Sequence, residues 1–171
     1  MPIVPPHVKC GVIPETPVGP LTLTFSSHGL MRVQFGAISE CEPAGAPFDR
    51  AVNELCAYFA GKLERFSVKL DVRGTAFQKR VWALLDTIPY GETRSYGELA
   101  RRLGDAQLAR AVGTANGANP VPIILPCHRV IGSTGQLTGY SGGLEHKQTL
   151  LRMEAEYTGK IYFNHGEDSP Q

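Results

Sequence analysis

A cysteine, a histidine and an arginine stand side by side inside an apolar run of the sequence. Cys127, His128 and Arg129 interrupt the stretch from Ile123 to Ile131, which otherwise has the composition of a core segment. A thiol becomes a strong nucleophile when a neighbouring base or positive charge favours the thiolate, and histidine and arginine supply both. An arbitrary Cys-His pair is more often a small buried cysteine beside a hydrogen-bonded histidine. Cys127 is therefore a candidate nucleophile, with a plain core segment as the alternative.

Two short helices joined by a tight turn precede this segment. Ser95 and Glu98 have the spacing of a capping box, which predicts a helix that Gly104 ends. Asp105 suits the N-cap of a second helix, predicted over residues 106–116. The apolar positions of that helix are Leu108, Ala111 and Val112. The pair is a helix-turn-helix candidate, with two helices of an ordinary bundle as the alternative.

One further helix is predicted on each side of these elements. Thr75 and Gln78 form a second capping box, and the helix that it opens ends at Pro89. Its apolar face comprises Phe77, Val81, Leu84, Leu85 and Ile88. The last helix is predicted over residues 144–154, burying Leu144, Leu150 and Leu151. Between Pro126 and this helix five glycines indicate a loop whose backbone approaches another group closely.

The N-terminal part has the pattern of a β-hairpin and one helix. Apolar and polar residues alternate over residues 21–25 and 31–35, and residues 26–29 form the turn between them. The next helix shows apolar residues at helical spacing, namely Phe48, Val52, Leu55, Cys56 and Phe59. This spacing predicts that Cys56 is buried. Residues 42–47 before the helix are predicted to be a loop.

Length and composition restrict the possible classes of protein. The 171 residues, 42% hydrophobic and 19% charged, suffice for one ordinary domain or two small ones. No apolar stretch approaches the roughly 20 residues of a membrane span. The N-terminus lacks the basic start and apolar block of a secretory signal. The four cysteines form no paired motif, which fits a reducing compartment, so a cytoplasmic protein is expected.

Charge is unevenly distributed along the chain. The net charge is +1, but residues 73–152 carry 10 Lys and Arg against 5 Asp and Glu. A basic central segment is a modest indication of a polyanionic partner, and it is equally compatible with an ordinary surface.

The segment Pro126-Cys127-His128-Arg129-Val130 resembles the active-site signature of the O6-alkylguanine-DNA alkyltransferases, the methylated-DNA-protein-cysteine methyltransferases. The surrounding residues agree with it. They are Arg110-Ala111-Val112-Gly113, Asn116 to Asn119-Pro120, Tyr140-Ser141-Gly142-Gly143 and Glu154. The similarity is strong over residues 77–154 and weaker over residues 17–35. It favours the nucleophile over the core segment at Cys127.

The resemblance implies an α/β (α+β) fold in three parts. Residues 1–72 would form a ribonuclease H-like domain of sheet and helix, and residues 73–156 a mostly helical DNA-binding and alkyl-transfer domain with a helix-turn-helix. Residues 157–171 would be a flexible tail, and the polar character already begins at Ala155.

The resemblance also implies the chemistry. The lesion lies on a base edge inside the duplex, so the nucleotide must be flipped into a pocket, and Arg110 would enter the base stack in its place. Cys127 would attack the alkyl carbon and keep the group as a thioether. His128 would take the thiol proton through a water, Glu154 would orient His128, and Tyr96 would give a proton to the leaving guanine.

Further residues match the family's pocket positions. Tyr140 and Ser141 would wall the pocket and bind the guanine O6, and the carbonyls of Cys127 and Val130 would hold the exocyclic amine. Asn119 would act as a structural hinge that ties the helix-turn-helix to the active-site loop. The remaining candidates for DNA or base contact are Gln78 and Ser133. Small residues around Ser133 indicate a roomy pocket mouth.

Departures from the family pattern limit the expected activity. Ser26 and Met31 stand where human-type members place two zinc ligands, so no metal and no cofactor are expected. Cys10, His7 and His28 lack the spacing of a zinc site. The cysteine-rich domain of some bacterial members is absent from this sequence. The expected partner is double-stranded DNA containing O6-alkylguanine, bound by a monomer without an obligate protein partner or a membrane.

Three other functions compete with this one. A non-catalytic alkyltransferase-like protein would bind the lesion without chemistry, but such proteins lack a cysteine at the position of Cys127. A helix-turn-helix regulator would need a dimer element, which the sequence does not show. A cysteine hydrolase would need repeated turnover through an acyl intermediate.

O6 of guanine is the expected main target, with O4 of thymine less readily repaired.

Overall fold

The computed structural model describes residues 7–38 and 42–160. The chain divides into two compact units, and the division falls between Arg73 and Gly74. In the described part of the chain, no helix is long and apolar enough to cross a membrane.

The N-terminal unit is built on a four-stranded sheet with the strand order β3-β2-β1-β4. The strands are β1 (Lys9–Ile13), β2 (Leu21–Phe25), β3 (Leu30–Phe35) and β4 (Glu42–Pro43). The predicted hairpin is confirmed, because β2 and β3 pair in antiparallel register with Leu23 opposite Val33. The prediction of a loop at residues 42–47 is wrong at both ends, since β4 pairs in parallel with β1 and the next helix already begins at Ala46.

The helix α1 (Ala46–Phe59) contributes buried residues to the core of the N-terminal unit. Its buried residues are Ala51, Leu55 and Tyr58, which recur every three to four positions and so lie on one face. The predicted burial of Cys56 is wrong: Cys56 is exposed and its thiol is free. It follows Leu55 directly, and one residue turns a helix by about 100°, which carries the side chain off the buried stripe.

A disulfide at Cys10 was not expected from the sequence. Cys10 lies on β1, is buried and is disulfide-bonded. The cysteine spacing contains no paired motif, so only the fold reveals this bond. It departs from the free thiols that are usual in a reducing compartment.

The C-terminal unit consists of helices around two very short strands. The helices are α2 (Ala76–Leu85), α3 (Tyr96–Arg102), α4 (Ala109–Gly117) and α5 (Leu144–Thr158). The strands β5 (Arg94–Ser95) and β6 (Val130–Ile131) pair in parallel. Fully buried side chains from every helix meet in one core, among them Val81, Leu99, Val112 and Leu150.

Both predicted capping boxes are confirmed. The Thr75 hydroxyl accepts from the backbone N–H of Gln78, and the Gln78 side chain accepts from the backbone N–H of Thr75. Ser95 and Glu98 form the same reciprocal pair at the start of α3. These bonds satisfy backbone donors that have no partner inside the helix, and they fix where α2 and α3 begin.

The second helix of the pair differs from its prediction. Asp105 caps a separate 3-10 helix, Ala106–Leu108, by accepting from the backbone N–H of Gln107 at 2.8 Å. The α-helix begins only at Ala109, and its buried residues are Val112, Ala115 and Asn116. Of the predicted apolar positions Val112 is buried, whereas Ala111 is exposed. The buried residues lie one turn further along the same face than the predicted apolar positions.

The last helix is longer than predicted. It continues to Thr158, so residues 155–158, expected to be loose, are helical, and the left-handed Gly159 ends the helix. Leu150 and Leu151 are buried as predicted, but Leu144 is 48% exposed. Most of the predicted tail, residues 161–171, lies outside the described residues.

Candidate active site

Cys127 lies on a short, buried turn between Pro126 and β6. Residues Cys127–Arg129 form one 3-10 turn, and all three side chains are buried, with Cys127 3% exposed. The backbone N–H of Cys127 donates to the carbonyl of Leu125 at 2.8 Å. The turn runs directly into β6, which pairs with the residues that precede α3. This pairing brings the thiol's segment to the start of the helix-turn-helix.

Asn119 fixes the segment that leads into this turn. Its side-chain oxygen accepts from the N–H of Val121 at 3.0 Å, and its side-chain nitrogen donates to the carbonyl of Leu125 at 2.8 Å. Between them Ile123 has a φ of 74°, a left-handed conformation that is costly for a β-branched residue. Asn119 thus holds both sides of a strained bend. This geometry suits the hinge role expected from the resemblance.

A buried carboxylate joins the two basic neighbours of Cys127. Glu154, on α5 and 1% exposed, lies 2.6 Å from Nε2 of His128. Its other oxygen accepts from Nε of Arg129 at 2.6 Å. The Arg129 guanidinium also donates to the carbonyl of Ile88 at 2.7 Å and lies 5.6 Å from the ring centre of Tyr90. Arg129 therefore compensates the buried carboxylate and does not face the thiol.

Burial and charge set the protonation states of this cluster. Burial raises the pKa of the Cys127 thiol to about 11, against smaller opposite effects of Asn119 and Lys147. Burial also lowers the pKa of His128, although Glu154 acts in the opposite direction. Burial alone would raise the pKa of Glu154, but His128 and Arg129 lower it to about 2. At neutral pH the resting site therefore holds a thiol, a neutral imidazole and a carboxylate.

Two polar residues that sequence reasoning did not assign complete the surroundings of Cys127. Lys147 is fully buried on α5 and donates to the carbonyls of Val130 and Thr138 at 2.6 and 2.9 Å. Asn116 is 3% exposed on α4 and donates to the carbonyl of Cys127 at 3.3 Å. A sequence signal existed for the lysine. Lys147 lies three and four residues before Leu150 and Leu151, on the same buried stripe of α5.

Tyr96 opens α3 and lies beside Gly113 in the middle of α4. Its hydroxyl accepts from the hydroxyl of Thr138 at 3.0 Å, which leaves its own proton available for donation. A Cβ at Gly113 would lie 3.7 Å from the Tyr96 ring, so the ring packs on α4 at that glycine. The loop before α5 is in this way attached to the helix-turn-helix.

The remaining candidate residues are more scattered. Arg110 is exposed near the start of α4, and its side chain is available to a partner. Gln78 uses its side-chain oxygen in the cap of α2. Ser133 and Ser141 are exposed on the loop before α5, and Tyr140 is half-buried there. Among residues 7–38 and 42–160, no three His, Cys, Asp or Glu side chains are placed to hold a metal ion.

Comparison with family models identifies both units. Residues 8–72 match the ribonuclease-like domain of 6-O-methylguanine DNA methyltransferase, and residues 76–156 match its DNA binding domain. The chain belongs to the 6-O-methylguanine DNA methyltransferase family. Both units of the α/β fold are those of this family, as the resemblance implied.

Individual relatives of this family agree over most of the chain. The methylated-DNA–protein-cysteine methyltransferase of Mycobacterium tuberculosis is 51% identical over 148 residues, covering 82% of this chain and 88% of the relative. The protein of the same name from Methanosarcina acetivorans is 48% identical over 149 residues, covering 82% and 94%.

Solved structures give the same result for the fold. The crystal structure of the Mycobacterium tuberculosis O6-methylguanine methyltransferase is 50% identical, with a TM-score of 0.80 over 88% of this chain and 94% of that one. The structure of the enzyme from the same organism in complex with DNA is 49% identical, with a TM-score of 0.78 and the same coverage.

Proposed function

We propose that Cys127 removes an alkyl group from O6 of guanine in double-stranded DNA and keeps it. The bond between Sγ and the alkyl carbon forms as the bond between that carbon and O6 breaks, and the electron pair leaves with the guanine. Family membership makes the chain a DNA repair enzyme of the methylated-DNA–protein-cysteine methyltransferase class. A thioether has no good leaving route, so each chain acts once. O4 of thymine is a second, slower target.

The observation that carries this proposal is the buried cluster of Cys127, His128 and Glu154. A thiol whose pKa is raised to about 11 needs a base at neutral pH. Because Glu154 occupies Nε2 of His128, the thiol proton would reach the ring at Nδ1, through a water. The carboxylate stabilises the imidazolium that results. This is the acid, histidine and nucleophile order of cysteine hydrolases, applied to an alkyl carbon.

Access to the base requires the nucleotide to leave the helix. The thiol is buried, so the alkylated base must enter a pocket beside it, which demands base flipping. Exposed Arg110 would fill the space that the nucleotide leaves. Tyr96 would donate its hydroxyl proton to the departing guanine, with Thr138 supplying the hydrogen bond that Tyr96 accepts.

The chain acts as a monomer on DNA, without a cofactor or an obligate protein partner. Its substrate places it in the compartment that holds the DNA, which we take to be the cytoplasm.

The test is the mass of the protein after mixing with an oligonucleotide duplex that contains one O6-methylguanine. We expect a single added methyl group on Cys127, with one lesion repaired per chain and no more. Cys127→Ser should bind the duplex and gain no methyl group, whereas Cys56→Ser, which changes the exposed free thiol, should react like the wild type. Binding of the wild type without a mass change would indicate a lesion-binding protein. Repair of several lesions per chain would indicate a turnover enzyme.

A further inference from the structure

Lys147 is a buried cation whose hydrogen-bond partners are backbone carbonyls. Its side chain is fully buried, and its ammonium donates to Val130 and Thr138. Among the ion pairs of the described residues, none involves Lys147. An ammonium buried without a carboxylate is costly, so its retention needs a reason beyond packing. The carbonyls that the ammonium binds supply that reason.

Asn116 makes a parallel contact from the other side of the segment. Its side-chain nitrogen donates to the carbonyl of Cys127 at 3.3 Å, while its side-chain oxygen is buried without a hydrogen-bond partner. Turning the amide over would place its oxygen against the carbonyl oxygen, so the donor must face Cys127. The unsatisfied oxygen is the cost of that orientation.

The two carbonyls held in this way are that of Cys127 itself and that of Val130, three residues later in the chain. The resemblance to the alkyltransferases implies that both of them, those of Cys127 and Val130, lie near the exocyclic amine of the flipped guanine. A carbonyl oxygen has two lone pairs, so that of Val130 can accept from Lys147 and from the base at the same time. The Cys127 carbonyl already accepts from Asn116 and from the backbone N–H of Val130, so Asn116 fixes the turn that carries Val130. We infer that Lys147 and Asn116 are positioning residues for guanine recognition: Lys147 aims the Val130 carbonyl at the exocyclic amine, and Asn116 fixes the turn that precedes it. The inference rests on the proposed function.

Lys147 also connects this recognition to the proton donor. Thr138, whose carbonyl accepts from Lys147, donates its own hydroxyl to Tyr96. The Lys147 ammonium therefore binds two carbonyls. One belongs to Val130, the proposed acceptor for the exocyclic amine, and the other to Thr138, whose hydroxyl donates to Tyr96. Loss of Lys147 should disturb amine recognition first, because its shorter bond is to Val130.

The experiment compares two substrates that differ only in the exocyclic amine. One duplex contains O6-methylguanine and the other O6-methylhypoxanthine, which lacks the amine, and the rate of Cys127 methylation is measured on each. For the wild type we expect guanine to react faster by about fivefold or more, which corresponds to one net hydrogen bond. In Lys147→Met the guanine rate should fall and the hypoxanthine rate much less, so that their ratio approaches one. Asn116→Leu should lower the ratio in the same direction.

Lys62→Met, which changes an exposed lysine of the N-terminal unit, is the matched control and should keep the wild-type ratio. Should Lys147→Met fail to fold, Lys147→Arg and Asn116→Leu decide the question through the same ratio. Equal losses on both substrates in every folded variant would overturn the inference, because a merely structural role slows both reactions alike. A wild-type ratio of one would overturn it as well. Absence of Cys127 methylation on either substrate would instead refute the proposed function.

Discussion

Replacing Glu154 by glutamine should destabilise the C-terminal unit by about 3 kcal/mol. The carboxylate bonds both His128 and Arg129, and these two partners lower its pKa from 4.5 to about 2. Since one pKa unit corresponds to about 1.4 kcal/mol, this difference is worth about 3 kcal/mol when the carboxylate is charged. An independent expectation agrees with this magnitude. Removing one partner of a buried ion pair costs about 3–5 kcal/mol, because the remaining charge is left uncompensated.

The pH dependence of this stabilisation follows from the direction in which the pKa of Glu154 is shifted. The folded state holds the proton of Glu154 less tightly than the unfolded state does, so the stabilisation is complete above the unfolded pKa. It is lost as the pH falls from about 4.5 towards about 2. The difference in unfolding free energy between the wild type and Glu154→Gln should therefore be constant near neutral pH and should narrow below pH 4.5.

Urea unfolding followed by tryptophan fluorescence measures this difference directly. Trp82 is the single tryptophan of the sequence, and it is buried in the same unit as Glu154. Glu156→Gln, an exposed substitution on the same helix, is the control and should leave the stability close to that of the wild type. The reasoning would be refuted by a loss no larger than that of the control, or by a difference that stays the same down to pH 3, well below 4.5.

Two further predictions concern the DNA interface and the bend before the nucleophile. Arg110→Ala should slow the methylation of Cys127 by an alkylated DNA duplex on the order of 10–100-fold, since re-stacking of the base is favoured by a few kcal/mol. The reaction of Cys127 with the free alkylated base should stay nearly unchanged. Arg110→Lys should recover part of the loss, because an ammonium lacks the flat guanidinium that stacks on bases; equal losses on both substrates would rule out the intercalating role. Asn119→Ala should cost about 1–3 kcal/mol in urea unfolding, because it leaves the buried N–H of Val121 unpaired, whereas the carbonyl of Leu125 keeps its bond from the N–H of Cys127. Asn53→Ala, which changes an exposed residue of α1, is its control, and equal costs would show that Asn119 does not hold the bend.

Local signals account for the parts of the fold that the sequence predicts well. The capping boxes at Thr75 and Ser95 are complete within four residues, and the hairpin of β2 and β3 needs only its own turn. Strand β4 was missed because two residues carry no alternation, and its pairing depends on distant β1. Cys56 was misplaced by one position, which on a helix is enough to exchange a buried face for an exposed one.

The proposed nucleophile, Cys127, and its basic neighbour are visible in the sequence, but the residues that support them are not. Cys127 and His128 are adjacent, and only the resemblance connects them with Glu154. Lys147 and Asn116 bind backbone carbonyls, and any residue offers a carbonyl, so no pattern of residue types reveals such a partner. The separation of Lys147 from Val130, 17 positions, is closed only by the packing of α5.

The contacts around Cys127 join residues that are separated by very different lengths of chain. Asn119 reaches Leu125 across 6 positions, whereas His128 meets Glu154 across 26 and Arg129 reaches Ile88 across 41. Short loops close faster and at a lower entropic cost than long ones. We therefore expect the bend before the thiol to form early in folding, and the pairing of His128, the proposed base, with Glu154 to form late. A partly folded chain would then expose Cys127 without the His128–Glu154 pair that is proposed to activate it. The thiol would therefore become reactive only when the domain is completely folded.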